Sequence, residues 1–189
     1  MGLIRPLRPQ DAAALRAFIE RLSPESRFGR FQYVVKEVTP RMLQLLLAID
    51  PRSHVALGAF EGEELVGEAR YASQGKTAEF ALAVADDRRR QGLGGRLLEA
   101  LLQRARGQGL RRLEGEVLAG NRPMLDFVAR AGFSLEAHFE DARLVRAQKN
   151  LPNGVRPYLP SRRLKSSASN ASPSAAAANT GRAPEASTA

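Results

Sequence analysis

Residues 77–118 constrain the fold more than any other stretch of the chain. TAEFALAVA (77–85) alternates Phe80, Leu82 and Val84 with small residues and predicts a strand. A turn rich in arginine and glycine follows. Residues 92–107 then set Leu97, Leu98, Leu101 and Leu102 on one helical face, and LRRLEGEVL (110–118) predicts a second strand. Two strands joined through a helix of this length must pair in parallel. The flanking segments impose the opposite pairing. HVALGAF (54–60) and ELVGEARYA (64–72) form a hairpin around EGEE, and residues 133–139 and 142–149 form a closing strand pair. A mixed α/β sheet follows, not a doubly wound one.

The N-terminal part supplies helices. Residues 3–8 predict a first strand. Asp11 is expected to cap a helix carrying Leu15, Phe18, Ile19 and Leu22. Ser23-Pro24 and Thr39-Pro40 each put a capping residue before a proline at the first helical position, so short helices are expected near 24–30 and 40–48. Asn121 opens a further helix that Gly132 ends. Residues 161–189 contain Leu164 as their one large apolar side chain. We therefore expect a folded domain over 1–160 and a disordered Ala/Ser-rich basic tail over 161–189.

The 189 residues carry a net charge of +9, no cysteine and two histidines, His54 and His138. Without cysteine there are no disulfides, thiolate metal sites or cysteine nucleophile, and two histidines cannot build a three-histidine zinc site. No metal is expected. No signal peptide or apolar run of membrane-spanning length is legible, so the expected location is the cytoplasm and no membrane partner is expected. A homo-oligomer is compatible with the sequence. The basic excess points to an anionic partner. It is concentrated: eight arginines and a single acid, Glu99, lie between Arg88 and Arg112.

The chemistry-bearing motif is Arg89-Arg90-Gln91-Gly92-Leu93-Gly94-Gly95, after a strand and at the start of a helix. Glycines let backbone N–H groups point at a ligand, and a helix N-terminus adds unpaired donors and partial positive charge. Together they make a pyrophosphate cradle, with Arg88, Arg89, Arg90 and Arg96 around it to pair with phosphates. Known phosphate loops do not fit: no Gly-x4-Gly-Lys-Ser/Thr is present, and the third glycine of a dinucleotide fingerprint would be Leu97. A nucleic-acid-binding module is the non-enzyme alternative, but aromatics make up only 6% and none interleave with the arginines to stack bases.

Arg89, Gly92 and Gly94 in the spacing Arg/Gln-x-x-Gly-x-Gly resemble the acyl-coenzyme A loop of the GNAT superfamily of N-acetyltransferases. Asn121, with Gly132-Phe133 eleven and twelve residues later, matches the same superfamily. The resemblance spans about residues 3–150. The segments TAEFALAV, GEVLAGNRPML and SPESRFGRF are also similar to the catalytic domain of bacterial protein lysine acetyltransferases.

The resemblance implies a mostly antiparallel sheet with a splayed parallel strand pair, flanked by helices. Acetyl-CoA would lie between the splayed strands. Its pantetheine would run along Leu82, Ala83 and Val84, and its pyrophosphate would rest on the amides from Arg90 to Gly95, Gln91 and Leu93 included. Asn121 would contact the coenzyme or cap its helix. Glu79 matches the position used as general base, and Glu116 is the second candidate, with a buried structural role as its other reading. The implied reaction is acetyl transfer to a primary amine, a protein lysine or N-terminal amine first, by direct attack in a ternary complex. One departure matters. Many relatives place a tyrosine acid seven residues after the asparagine, and here that position is Val128. The alternative is a non-catalytic acyl-CoA-binding regulatory protein.

Overall fold

The computed structural model describes residues 2–50 and 52–152. The boundary expected at residue 160 and the tail of 161–189 lie outside the described residues. Seven strands form one sheet: β1 (Leu3–Pro6), β2 (His54–Glu61), β3 (Glu64–Gln74), β4 (Thr77–Val84), β5 (Arg112–Leu118), β6 (Ser134–Ala137) and β7 (Leu144–Asn150). Their order is β1-β2-β3-β4-β5-β7-β6. Every neighbouring pair is antiparallel except β4–β5, as the crossover requires.

Five α-helices accompany the sheet among the described residues: α1 (Ala12–Arg21), α2 (Pro24–Phe31), α3 (Pro40–Leu47), α4 (Leu93–Gly107) and α5 (Arg122–Arg130). Two apolar cores result. The first packs Leu97, Leu98 and Leu101 of α4 and Val128 of α5 on Phe80, Leu113 and Val117. The second packs Leu15, Phe18 and Ile19 of α1 with Leu43 and Leu47 of α3 on Ala56, Phe60 and Ala83. Each leucine so buried stabilises the fold by about 1.5–3 kcal/mol. That is why the apolar periodicity located α1 and α4 from sequence.

Ser23 and Thr39 cap as expected, accepting the N–H groups of Ser26 and Met42. Asp11 departs from its expected role. It makes no side-chain cap on α1. Its carboxylate takes both terminal nitrogens of Arg5 at 2.7 Å, and the N–H of Arg8 at 2.8 Å. The hydrogen bond from Arg5 comes first among the causes that hold the Asp11 carboxyl below its ordinary range. A guanidinium that can bind both oxygens outcompetes a single helix N–H.

The parallel pair creates the site. Its register covers only Thr77↔Arg112, Ala78↔Leu113 and Glu79↔Glu114, although both strands continue further. Phe80 sits where they part. Its ring packs on Phe133 at a centroid distance of 5.1 Å. A Cβ on Gly115 would lie 2.8 Å from that ring and 2.9 Å from the Phe80 carbonyl oxygen. The close approach requires glycine. Gly115→Ala should therefore cost about 1–3 kcal/mol through overpacking, read as a lower midpoint in thermal unfolding. An unchanged midpoint would show that Phe80 moves aside freely.

Candidate active site

Where β4 and β5 diverge, a cleft of about 960 Å³ opens. Beyond Glu79 the outer edge of β4 has no strand partner. Its other edge stays paired with β3, Leu82 facing Ala69 and Val84 facing Gly67. Leu82, Ala83 and Val84 all line the cleft. This stretch thus offers main-chain donors and acceptors to an extended ligand. On the opposite side the wall is α2, contributing Phe28, Arg30 and Phe31, with Gln32 just after its end.

At one end of the cleft lies the glycine-rich turn. Arg89, Arg90, Gly92, Gly94 and Gly95 line it. Arg90 (φ 60°) and Gly92 (φ 77°) adopt the left-handed conformation, which folds the backbone inward before α4 begins at Leu93. Gly92 sits at the N-cap position, so no side chain caps the first-turn N–H groups of α4. A Cβ at Gly92 or Gly95 would meet nothing within 4 Å. Open space, uncapped donors and adjacent guanidinium groups are the features that suit an anion.

The residues of the turn divide by role. Leu93 turns its side chain into the core, 8% exposed, and can offer only its main chain. Gln91 donates its side-chain amide to the Asp87 carbonyl. Arg88 is committed to Glu61 at 3.0 Å and Asp87 at 2.6 Å, and Arg96 donates to the Gly2 carbonyl. Arg89 reaches the Ser26 hydroxyl at 2.6 Å and Asp86 at 3.0 Å. Asp86 in turn accepts from Ser26 and from the Ser23 N–H, tying the start of α2 to the turn. Burial pushes the Asp86 carboxyl up, and the hydrogen bonds from Ser26 and Ser23 outweigh it, leaving it lowered.

The other end holds two carboxylates. Leu113 and Val117 of β5 point into the first core, as do Ala78 and Phe80 of β4. The strand alternation then puts Glu79 and Glu116 together on the opposite face, toward α2. Both line the cleft. Glu79 is exposed, and among the described residues its side chain makes no hydrogen bond or ion pair. Glu116 has a side chain 32% exposed and a partner, His138 Nε2, 3.0 Å from Oε1. Its main-chain oxygen accepts from the Gln32 side chain at 3.1 Å. Gln32 reaches across because the left-handed turn (φ 61°) that ends α2 aims it at β5.

Asn121 caps α5, its Oδ1 accepting the Met124 N–H at 3.2 Å, while it also lines the cleft. Val128, at the position where a tyrosine would supply an acid, is fully buried in the first core. Its neighbour Phe127 faces the cleft. Sequence reading missed His138, Gln32 and Asp86. Each acts through a contact distant in sequence, so no local spacing could have revealed it.

Comparison with known proteins agrees with this geometry. The model of the Acetyltransferase (GNAT) family matches residues 15–133. An acetyltransferase of Pseudomonas aeruginosa is 39% identical over 137 residues, which is 69% of this chain and 74% of that protein. The GNAT domain of PAT from S. lividans is 30% identical with a TM-score of 0.76, covering 79% of this chain and 90% of that one. The PaiA N-acetyltransferase of Thermoplasma acidophilum, solved with coenzyme A, shares the fold at 20% identity and a TM-score of 0.64, over 79% and 99% of the two chains.

Proposed function

The chain belongs to the GNAT acetyltransferase family, and from that premise we propose that it acetylates a primary amine with Glu79 as general base. The observation that carries this reading is one cleft with an anion cradle at one end and an unpartnered carboxylate at the other. Enzymes of this family use acetyl-CoA, and the cleft fits it. The volume of about 960 Å³ lies in the range of cofactor pockets. The glycine turn leaves room and free donors for a pyrophosphate. No helix among the described residues is long and apolar enough to cross a membrane. The absence of cysteine suits a cytoplasmic setting.

Arg90 and the amides up to Gly95 hold the phosphates, Arg89 adds its charge from its place on Ser26 and Asp86, and the free edge of β4 from Leu82 to Val84 holds the pantetheine arm. Asn121 stays beside it while capping α5. When bound, acetyl-CoA supplies an activated thioester. An attacking amine must first lose a proton, because a lysine ammonium has a pKa of about 10.4. Glu79 accepts that proton directly or through water. A main-chain N–H near Leu82 would donate to the thioester oxygen as charge develops on it. A C–N bond forms as the C–S bond breaks, and the thiolate leaves. A thiol pKa of about 8.5 makes it a tolerable leaving group even with Val128 in place of an acid. Glu116 is the second carboxylate of the acceptor end.

A protein lysine or N-terminal amine is the acceptor we favour, on the likeness of TAEFALAV, GEVLAGNRPML and SPESRFGRF to protein lysine acetyltransferases. The test is a thermal shift with acetyl-CoA, then a thiol-release screen over lysine peptides and small amines. No shift at saturating acetyl-CoA would overturn the proposal. Binding without thiol release from any amine would favour a regulatory acyl-CoA-binding protein, the reading that the buried Val128 supports.

Gly95→Asp separates the cradle from the fold. Its side chain would enter open space, and a carboxylate in the first turn of a helix suits the macrodipole. Thermal stability should hold or rise slightly. Acetyl-CoA affinity should fall about tenfold or more, since roughly 1.4 kcal/mol of repulsion suffices. Calorimetric titration reads both arms. Unaltered affinity would move the phosphates elsewhere.

A further inference from the structure

His138 follows β6 directly, and its side chain is only 11% exposed. Its ring is held from two sides. Nδ1 accepts the main-chain N–H groups of Glu140 at 3.2 Å and Asp141 at 3.1 Å. A ring nitrogen that accepts hydrogen bonds carries no proton, so the proton of the neutral imidazole is on Nε2. That nitrogen lies 3.0 Å from Glu116 Oε1. Arg146, the cross-strand neighbour of Glu116 on β7, brings Nη2 only to 3.5 Å from the same Nε2, beyond ordinary hydrogen-bond length, and a guanidinium accepts no proton, so Glu116 Oε1 is the acceptor that Nε2–H has. The Asp141 carboxylate binds Arg143 and so braces the loop that supplies the two N–H groups.

Glu116 is consequently fixed at both its main chain and its side chain. Gln32 holds its carbonyl from α2, and His138 occupies one carboxylate oxygen. The other oxygen has no partner among the described residues, and the side chain lines the cleft on the same sheet face as Glu79.

We infer that His138 is a positioning residue. By donating Nε2–H to Oε1 it turns the second oxygen of Glu116 into the cleft, where that oxygen receives an N–H of the incoming amine and presents it to Glu79. This rests on the acetyl-transfer reading above. The backbone amides orient the imidazole, the imidazole orients the carboxylate, and the carboxylate orients the acceptor.

The test compares the full-length parent with His138→Ala and His138→Gln, varying amine and acetyl-CoA separately. Loss of one hydrogen bond to a carboxylate that binds the acceptor should raise the amine KM about tenfold in His138→Ala. The KM for acetyl-CoA should not change. Glutamine keeps an N–H donor near the position of Nε2 and should restore the amine KM to within about twofold of the parent. Nitrogen NMR of the parent should show the Nε2–H tautomer. An Nδ1–H tautomer, an unchanged amine KM in His138→Ala, or equal impairment of both variants with matching losses of thermal stability would each overturn the inference. If the parent acetylates amines and only the His138 variants are flat, the proposed function stands and the role of His138 falls. If the parent acetylates no amine, the proposed function fails first and takes the role with it.

Discussion

Glu79→Gln should lower acetyl transfer at neutral pH by about 10²–10⁴-fold, the range a positioned general base contributes, with acetyl-CoA binding unchanged. The argument begins with what Glu79 does not do. It is exposed and has no partner among the described residues, so its removal leaves no buried group unsatisfied. Stability should move by no more than about 0.5 kcal/mol. An activity loss in a protein of unchanged melting temperature then belongs to chemistry. The pH dependence gives a second reading. Without Glu79 the reaction depends on amine already deprotonated in solution. For a lysine with a pKa of about 10.4 that fraction rises about tenfold per pH unit through the neutral range. The defect should therefore shrink as pH rises toward 9 and beyond. Steady-state kcat/KM for the amine at pH 7 and pH 9 measures both effects. Glu116→Gln is the comparison variant, expected to raise the amine KM more than it lowers kcat. If it loses the larger share of kcat while Glu79→Gln does not, the base is Glu116.

The features legible in the sequence are those with a local pattern. Leucines at helical spacing place α4, alternation places β4 and β5, and the glycine turn lies between them as the spacing predicts. The places of Glu79 on β4 and Glu116 on β5 were legible from the strand pattern, while their roles rest on the proposal above. What sequence could not show is where long side chains end. Arg88 and Arg96 read as part of the cradle, yet Arg88 is drawn to Glu61 and Arg96 to the Gly2 carbonyl. Both partners are distant in sequence. The splay has the same origin. Phe80 and Gly115 lie on different strands, and only their meeting shows why the parallel register stops after three pairs.

Glu68 presents the largest stability effect for the same reason. Its side chain is 2% exposed in the middle of β3. Arg30 reaches it from α2 at 2.7 Å and Arg70 from its own strand at 2.8 Å. Arg70 also donates to the Leu46 carbonyl after passing the carboxylate. Removing the acid strands two guanidinium groups, one of them 9% exposed. Glu68→Gln should therefore cost about 3–5 kcal/mol in denaturant unfolding. Replacing all three residues by apolar ones of similar volume should recover most of it, because the triad's own desolvation disappears too. The two results together separate a stranded charge from a lost packing contact. Acid titration supplies a further check. Burial opposes ionisation of Glu68, but Arg70 and Arg30 outweigh it and lower the carboxyl from 4.5 to about 2. The folded state thus binds its proton later than the unfolded chain. That difference is worth about 3 kcal/mol. It is fully present above pH 4.5 and disappears as the pH falls through about 2. The parent should lose stability over that window more steeply than Glu68→Gln. Parallel curves would mean that Glu68 is protonated in the fold. Arg30 belongs to α2 and lines the cleft, so the same ion pair that holds the buried acid also fixes the wall of the site.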